Sequence, residues 1–328
     1  MKTNKTAPFA FVTFLMLNDS YLPGALVLAY ALRKQHTPAD LVCLVTEEIT
    51  PDARYALEVV FDHVVDVEKI FVPHKRRQQR QDRPYYFTRI NVLRLGKDGD
   101  LGFSYERIVS LDADVLPLKN YDSLFGLETP AGILNEDKSH FIESDKEKQY
   151  VAPEDVEQTG KWKWHQIYNK ICPHGHKIPG EITDRVKDDP ANMGLNGSLF
   201  VLEPSMQEFR NILEDIRQPD IQTLVGDLFD WPDMQYLTMR WSGQWTSVDV
   251  RFSSFNGYPK LSVLWGTHYA GFKPWYVKKE KAMARYARYD DFQLWFREYI
   301  AMINTAYPEL QKVKRLNRLG KTIQRLIA

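Results

Sequence analysis

Over its first sixty or so residues the chain alternates apolar runs of strand length with helical ones, and this alternation limits the fold more than any other feature of the sequence. Residues 9–17 are apolar and stop at the polar Asn18-Asp19-Ser20. Residues 23–34 open with Pro23 and close on Arg33 and Lys34, the signature of a capped helix. A short apolar run at 41–45, a helix start at Thr50-Pro51-Asp52-Ala53 and a third run at 64–67 follow. Strand, helix, strand, helix, strand predicts an α/β protein with a Rossmann-like, mostly parallel central sheet and flanking helices. In such sheets ligands collect beyond the carboxyl ends of the strands. Asn18 falls there.

So does the end of the next strong apolar run, Arg107-Ile108-Val109-Ser110-Leu111-Asp112-Ala113-Asp114-Val115. Read as one strand, it puts residues i and i+2 on the same side, so Asp112 and Asp114 present their oxygens together, and Pro117 is expected to stop further pairing. Two convergent carboxylates suit Mg²⁺ or Mn²⁺, whose open positions take substrate phosphates. Asp-x-Asp is also frequent by chance, and the alternative is a solvated turn.

With 328 residues, 44% of them apolar and 13% aromatic, the chain can bury one large core or two modest ones. Lysine plus arginine balances aspartate plus glutamate at 43 each, so no overall field draws in nucleic acid. Cys43 sits in an apolar run and Cys172 is the only other cysteine, which argues against a disulfide-built domain. Lys2 and Lys5 precede an apolar stretch, but no small-x-small cleavage site follows. The stretch reads as the first core strand, and no window has the length of a membrane helix. A soluble, cytoplasmic protein is the expectation, with peripheral membrane contact as the exception.

Residues 74–84 form a basic, apolar-poor loop, either solvated or a lid over an anionic ligand. Residues 85–95 look helical and carry Arg89 and Arg94. Residues 135–190 change character, with many charges and Trp162 and Trp164, and read as an insertion. There, Cys172-Pro173-His174-Gly175-His176 resembles half of a zinc site without its second half. Residues 196–202 return to a strand through Asn196-Gly197-Ser198, 206–216 form an amphipathic helix, and Asp230 and Asp233 follow, Asp230 also fitting a helix cap. His268 ends a short apolar run and Gly271, Lys273 and Pro274 come directly after. The remainder, 276–328, is expected to be a helical extension. Its stripe of Leu310, Val313, Leu316, Leu319, Ile323 and Leu326 lies opposite basic residues, and serves either to pack on the domain or to rest on an anionic membrane.

Taken in order, Asn18-Asp19-Ser20-Tyr21 with Pro23-Gly24-Ala25, Asp112-Ala113-Asp114, Asn196-Gly197-Ser198, Asp230 with Asp233, and His268-Tyr269-Ala270-Gly271-Phe272-Lys273-Pro274-Trp275 resemble the glycogenin-like glycosyltransferases of family 8. The resemblance runs from about residue 9 to 275. It implies a GT-A fold over residues 1–275, a nucleotide-sugar donor that is usually a UDP-sugar, Mn²⁺ (or Mg²⁺), and transfer with retention at the anomeric carbon. By the same resemblance Asp112, Asp114 and His268 hold the ion, His268 being a borderline ligand suited to Mn²⁺. Ala113 between them belongs to the donor site. Lys273 sits on the leaving phosphate and Gly271 lets backbone come close. Asn18 and Tyr21 lie against uracil and ribose, Arg89 contacts donor phosphate or sugar, and Asn196 and Ser198 face the sugar. Asp230 and Asp233 flank the anomeric carbon, with Asp233 nearer.

Three departures from the family pattern bear on substrate. Its Asp-Gln pair reads Asp233-Met234-Gln235, with the amide moved by one position. Its Asn-Ser-Gly reads Asn196-Gly197-Ser198. Residues 256–267 offer Tyr258 alone, which speaks against self-glucosylation as the main role. The expected function is transfer of a hexose or N-acetylhexosamine from a UDP-sugar to a separate saccharide or glycoconjugate acceptor shaped by residues 135–190. A self-glycosylating primer and a non-catalytic nucleotide-sugar-binding module are the alternatives. The family also suggests a homodimer.

Overall fold

The computed structural model describes residues 7–75, 82–135, 172–257 and 260–327. The strands β1 (Phe9–Leu15), β2 (Asp40–Val45) and β3 (His63–Asp66) form where the alternation predicts them, joined by α1 (Leu22–Lys34) and α2 (Pro51–Val60). Local chemistry sets the helix starts. Pro23 occupies the first turn of α1, and the Thr50 hydroxyl accepts the Ala53 N–H at 3.3 Å to cap α2.

These three strands continue into β4 (Arg107–Leu111), β7 (Leu195–Leu202), β6 (Ala131–Leu134) and β8 (Thr246–Ser247), giving a seven-stranded sheet of order β3-β2-β1-β4-β7-β6-β8. The β1, β2, β3 and β4 contacts and the β6–β8 contact are parallel, while β7 runs antiparallel to both β4 and β6. The α/β, mostly parallel sheet expected from the sequence is therefore present. Alternate residues of β1 feed two cores: Phe11 and Leu15 face α1, α2 and the C-terminal helices, and Ala10 and Val12 face the opposite layer. That layer is built from 3-10 turns over Arg83–Leu95, α3 (Met206–Asp215) and α4 (Pro232–Arg240).

The expected single strand over residues 107–115 is not what forms. β4 ends at Leu111, and after a turn the chain begins β5 (Val115–Pro117), which belongs to a second, three-stranded sheet with β10 (Gly266–His268) and β9 (Ser254–Phe255). Pro117 is the last paired residue, opposite Gly266 at the end of an edge strand where a missing N–H is tolerated, so the ladder does stop there as expected. Asp230 is not a helix cap. Trp231 holds the N-cap position of α4, and its N–H goes to the Gln235 side chain.

Beyond Trp275 the chain is helical in pieces, including α5 (Glu280–Tyr286), α6 (Asp290–Ala301) and α7 (Lys314–Ile327). Leu310, Val313, Leu316, Leu319 and Ile323 are buried in the core that contains α1, and Leu326 packs against it. The apolar stripe is thus spent inside the molecule, with Lys314, Arg318 and Lys321 turned to solvent. Among the described residues no helix is long and apolar enough to cross a membrane. Cys43 and Cys172 are buried and not joined in a disulfide. The basic loop at 76–81, Trp162 and Trp164 of the insertion, and Tyr258 lie outside the described residues.

Candidate active site

The turn between the two sheets is the centre of the site. The Asp112 N–H donates to the Ser198 carbonyl of β7 (3.0 Å) and the Val115 N–H to the Asp112 carbonyl (3.0 Å), so residues 112–115 fold from one sheet into the other. Antiparallel pairing of β5 with β10 sets His268 opposite Val115, and the Tyr269 N–H donates to the Asp114 carbonyl at 2.9 Å. That register brings His268 Nε2 to 3.3 Å from Asp114 Oδ1. One ligand atom each from Asp112, Asp114 and His268 lie within 4.8 Å of one another. The two carboxylates do converge, through a turn rather than through the side-by-side geometry of a strand.

The donor set fits a divalent cation. It offers hard carboxylate oxygens with one imidazole nitrogen, and Asp114 Oδ1 and His268 Nδ1 are buried without a hydrogen bond. A buried acceptor left in that state costs about 1–3 kcal/mol, which a coordinated ion would offset. By contrast, no such group of metal-ligating side chains forms around Cys172, His174 and His176 among the described residues. His174 Nδ1 there accepts the Asp249 N–H at 3.1 Å, and burial holds the imidazole below its usual pKa.

Lys273 reaches the turn from the loop after β10. Its ammonium donates to Asp114 Oδ2 and to the Tyr269 carbonyl and lies 5.7 Å from the centre of the Tyr21 ring. Burial by itself would push the Asp114 carboxyl up, but the Lys273 and His268 charges outweigh it and hold it far below the ordinary carboxylate range. Tyr21 stands edge-on to Trp275 (5.7 Å, 71°). Gly24, in the first turn of α1, lets these parts meet: a Cβ there would lie 2.3 Å from the Ala113 carbonyl oxygen and 2.5 Å from the Trp275 ring.

Arg89 closes the other end. Its Nη1 donates to the Gly197 carbonyl (2.6 Å), its Nη2 to Asp112 Oδ1 (3.0 Å), and its Nε lies 2.7 Å from Asp233 Oδ2 in the first turn of α4. Burial acts against the guanidinium charge, yet Asp233 and Asp112 more than compensate and raise its pKa. Asp112 moves the other way from Asp114. Burial and the neighbouring Asp114 charge raise its carboxyl, and Arg89 counters only part of this.

A cleft of about 310 Å³ runs between these two ends. Asn18, Tyr21, Arg89, Asp112, Ala113 and Asp114 line it from the first half of the chain, and Asn196, Ser198, Asp233, His268 and Lys273 from the second. Ser198 hydrogen-bonds to the Ser253 hydroxyl at 2.7 Å, and Asn196 Oδ1 accepts the Ser198 N–H at 3.0 Å. Asp230 and Gly271 are not among the lining residues. Nor is Gln235: it is fully buried, donating to the Pro190 and Asn192 carbonyls (2.8 and 2.7 Å) and accepting the Trp231 N–H (2.7 Å). Its amide is a structural tie, and the side chain presented to the cleft beside Asp233 is Met234.

Sequence reasoning missed Asn135, Tyr86, Met193 and Trp231, which also line the cleft. Asn135 is 2% exposed and its Oδ1 is buried without a hydrogen-bond partner. A signal for it was present, since it directly follows the apolar residues of β6. Its strand runs parallel to β4, so it lies at the same sheet edge as Asp112.

The family described as Glycosyl transferase family 8 matches residues 12–162. Uncharacterized protein R707 of Acanthamoeba polyphaga mimivirus is 27% identical over 246 residues, covering 75% of this chain and 71% of that protein. Glycogenin-1 of Oryctolagus cuniculus is 35% identical over 122 residues, which is 36% of this chain and only 34% of glycogenin-1. Galactinol synthase 7 of Arabidopsis thaliana is 24% identical over 295 residues, 84% of this chain and 77% of the synthase. Among solved structures, the galactosyltransferase LgtC in complex with donor and acceptor sugar analogs superposes with a TM-score of 0.55, covering 88% of this chain and 94% of LgtC. Its 13% identity makes that a likeness of fold alone. A GT-A-type sheet with an Asp-x-Asp turn closed by a histidine thus occurs in a chain whose residues 12–162 match glycosyl transferase family 8 and which is similar to glycogenin-1 over about a third of its length and to galactinol synthase 7 over most of it.

Proposed function

We propose that the cleft binds a UDP-sugar with a divalent cation, Mn²⁺ in preference to Mg²⁺, and transfers a hexose or N-acetylhexosamine, with retention, to a separate saccharide acceptor. The observation that carries this reading is the convergence of Asp112, Asp114 and His268 beside the buried ammonium of Lys273. Asp112, Asp114 and His268 would hold the ion, which supplies Lewis-acid neutralisation of a leaving diphosphate. Lys273 adds a fixed positive charge at the same place, so the leaving group departs into a preorganised field. Asn18 and Tyr21, at the mouth beside Lys273, are read as the walls of the uridine subsite, and Asn196 and Ser198 as contacts of the donor sugar.

At the opposite end Asp233 is the carboxylate placed to stabilise positive charge at the anomeric carbon. Its ion pair with Arg89 orients it and sets a positive charge against it, which suits charge stabilisation better than covalent attack. Asp230 lies outside the lining, so we assign the carboxylate role to Asp233 alone. Residues 1–275 are read as the glycosyltransferase domain, 135–190 as the acceptor region and 276–328 as an extension packed on it.

Nucleotide release from a panel of UDP- and GDP-sugars with Mn²⁺ tests this reading. Release from a UDP-sugar that disappears in Asp114→Asn is the expected result. No turnover of any donor, with or without added glycans, would sink it.

A further inference from the structure

We propose that Arg315, on the C-terminal helix α7, is a positioning residue that holds the donor-binding wall of the cleft in place. The proposal rests on the reading of that wall as a nucleotide subsite. The wall is a single 3-10 turn, Asp19–Tyr21, with Asn18 at its N-cap. Asn18, Ser20 and Tyr21 all line the cleft. A turn this short has little internal hydrogen bonding of its own, so its shape depends on what grips it from outside.

Contacts from two distant elements grip it. The Asp19 carboxylate accepts the Thr50 N–H (3.1 Å) and hydroxyl (2.6 Å), tying the turn to the start of α2. From the far end of the chain, Arg315 Nη1 donates to the Asp19 carbonyl (2.7 Å) and Nη2 to the Ser20 carbonyl (3.2 Å). The planar guanidinium fork spans two successive carbonyls, which one lysine ammonium cannot match in the same fixed geometry. The helix carrying it is firmly seated: Leu316, Leu319 and Ile323 are buried, and the Tyr299 hydroxyl donates to the Leu316 carbonyl at 2.8 Å. Arg315 does not itself line the cleft. It acts through the backbone that orients Asn18 and Tyr21, and makes a segment from the end of the chain part of the donor site.

The test uses the full chain as wild type, Arg315→Ala and Arg315→Lys, with UDP titrated in the presence of Mn²⁺. Hydrogen exchange is followed across the Asn18 to Tyr21 segment without nucleotide. Losing two charge-assisted bonds at a partly exposed site is expected to weaken UDP binding about three- to tenfold, and Arg315→Lys to recover part of it. Exchange in the turn should rise about tenfold, while kcat at saturating donor stays within about twofold. A wild type that binds UDP with an Arg315→Ala variant that binds it equally well, and with unchanged exchange in the turn, would overturn the proposal. Failure of the donor reading looks different, since there the wild type itself takes up no UDP.

Discussion

Lys273 and Asp114, 159 residues apart in sequence, meet as a buried ion pair, each side chain only 7% exposed. The pair locks the loop after β10 onto the turn after β4, and so couples folding of the small sheet to assembly of the site. Removing one member of a buried pair leaves the other uncompensated, at a cost of about 3–5 kcal/mol. Lys273→Met is therefore expected to lower Tm by roughly 10 °C. It should also cut kcat by about a hundredfold or more, because the charge beside the leaving group is lost. Differential scanning calorimetry with donor turnover checks both. Unchanged Tm would show that the pair carries no structural weight.

Gly24→Ala should damage the site without removing any polar group. The new methyl would collide with the Ala113 carbonyl and Trp275, forcing α1 away from the Asp112–Asp114 turn. Overpacking of this kind costs about 1–3 kcal/mol. The expected signature is a lowered Tm and a smaller stabilisation by Mn²⁺ with UDP. A variant with wild-type Mn²⁺ response would refute the close approach.

Gln235 and Met234 should separate cleanly. Gln235→Ala removes three hydrogen bonds made by a fully buried side chain, to the part-buried Pro190 and Asn192 carbonyls and the Trp231 N–H, and is expected to cost roughly 2–3 kcal/mol of stability while leaving donor preference alone. Met234→Gln adds an amide to the cleft wall. It should alter relative rates across a sugar-nucleotide panel with a change in Tm of no more than a few degrees. If instead Gln235→Ala changed donor preference at constant stability, the amide would have to reach the sugar.

An acid-stability limb is expected from Glu208, away from the cleft. Burial raises its carboxyl, but hydrogen bonds from Arg240 and Trp241 outweigh this and lower it. A depressed carboxyl stabilises the fold fully above the unfolded value of about 4.3 and loses that contribution as pH falls through the folded value. Glu208→Gln should therefore be less stable than wild type at neutral pH, with the gap closing as pH drops below about 4. Urea midpoints between pH 7 and 3 measure this. A gap independent of pH would assign the effect to packing.

Much of this was legible in the sequence because it is local. The β1 to β3 alternation follows from runs of apolar residues and helix caps, and His268 ends the short strand whose following loop carries Lys273. What could not be read depends on long-range pairing. The break at Asp112 arises because β5 finds a partner in β10, which no local propensity encodes. Arg89 was identified, but its role as a bridge between Asp112 and Asp233 needs the fold. Gln235 looked like a displaced amide bearing on the sugar because spacing along a helix does not say which face is buried. Arg315 sat unnoticed in a basic stripe for the same reason.

Calorimetric titration of UDP into the protein, with and without Mn²⁺, tests the central claim most directly, using wild type and Asp114→Asn. If Asp112, Asp114 and His268 hold an ion that receives the diphosphate, wild type binds UDP only when Mn²⁺ is present and Asp114→Asn loses that dependence together with the binding. UDP binding of equal strength without Mn²⁺, or undiminished in Asp114→Asn, would contradict it.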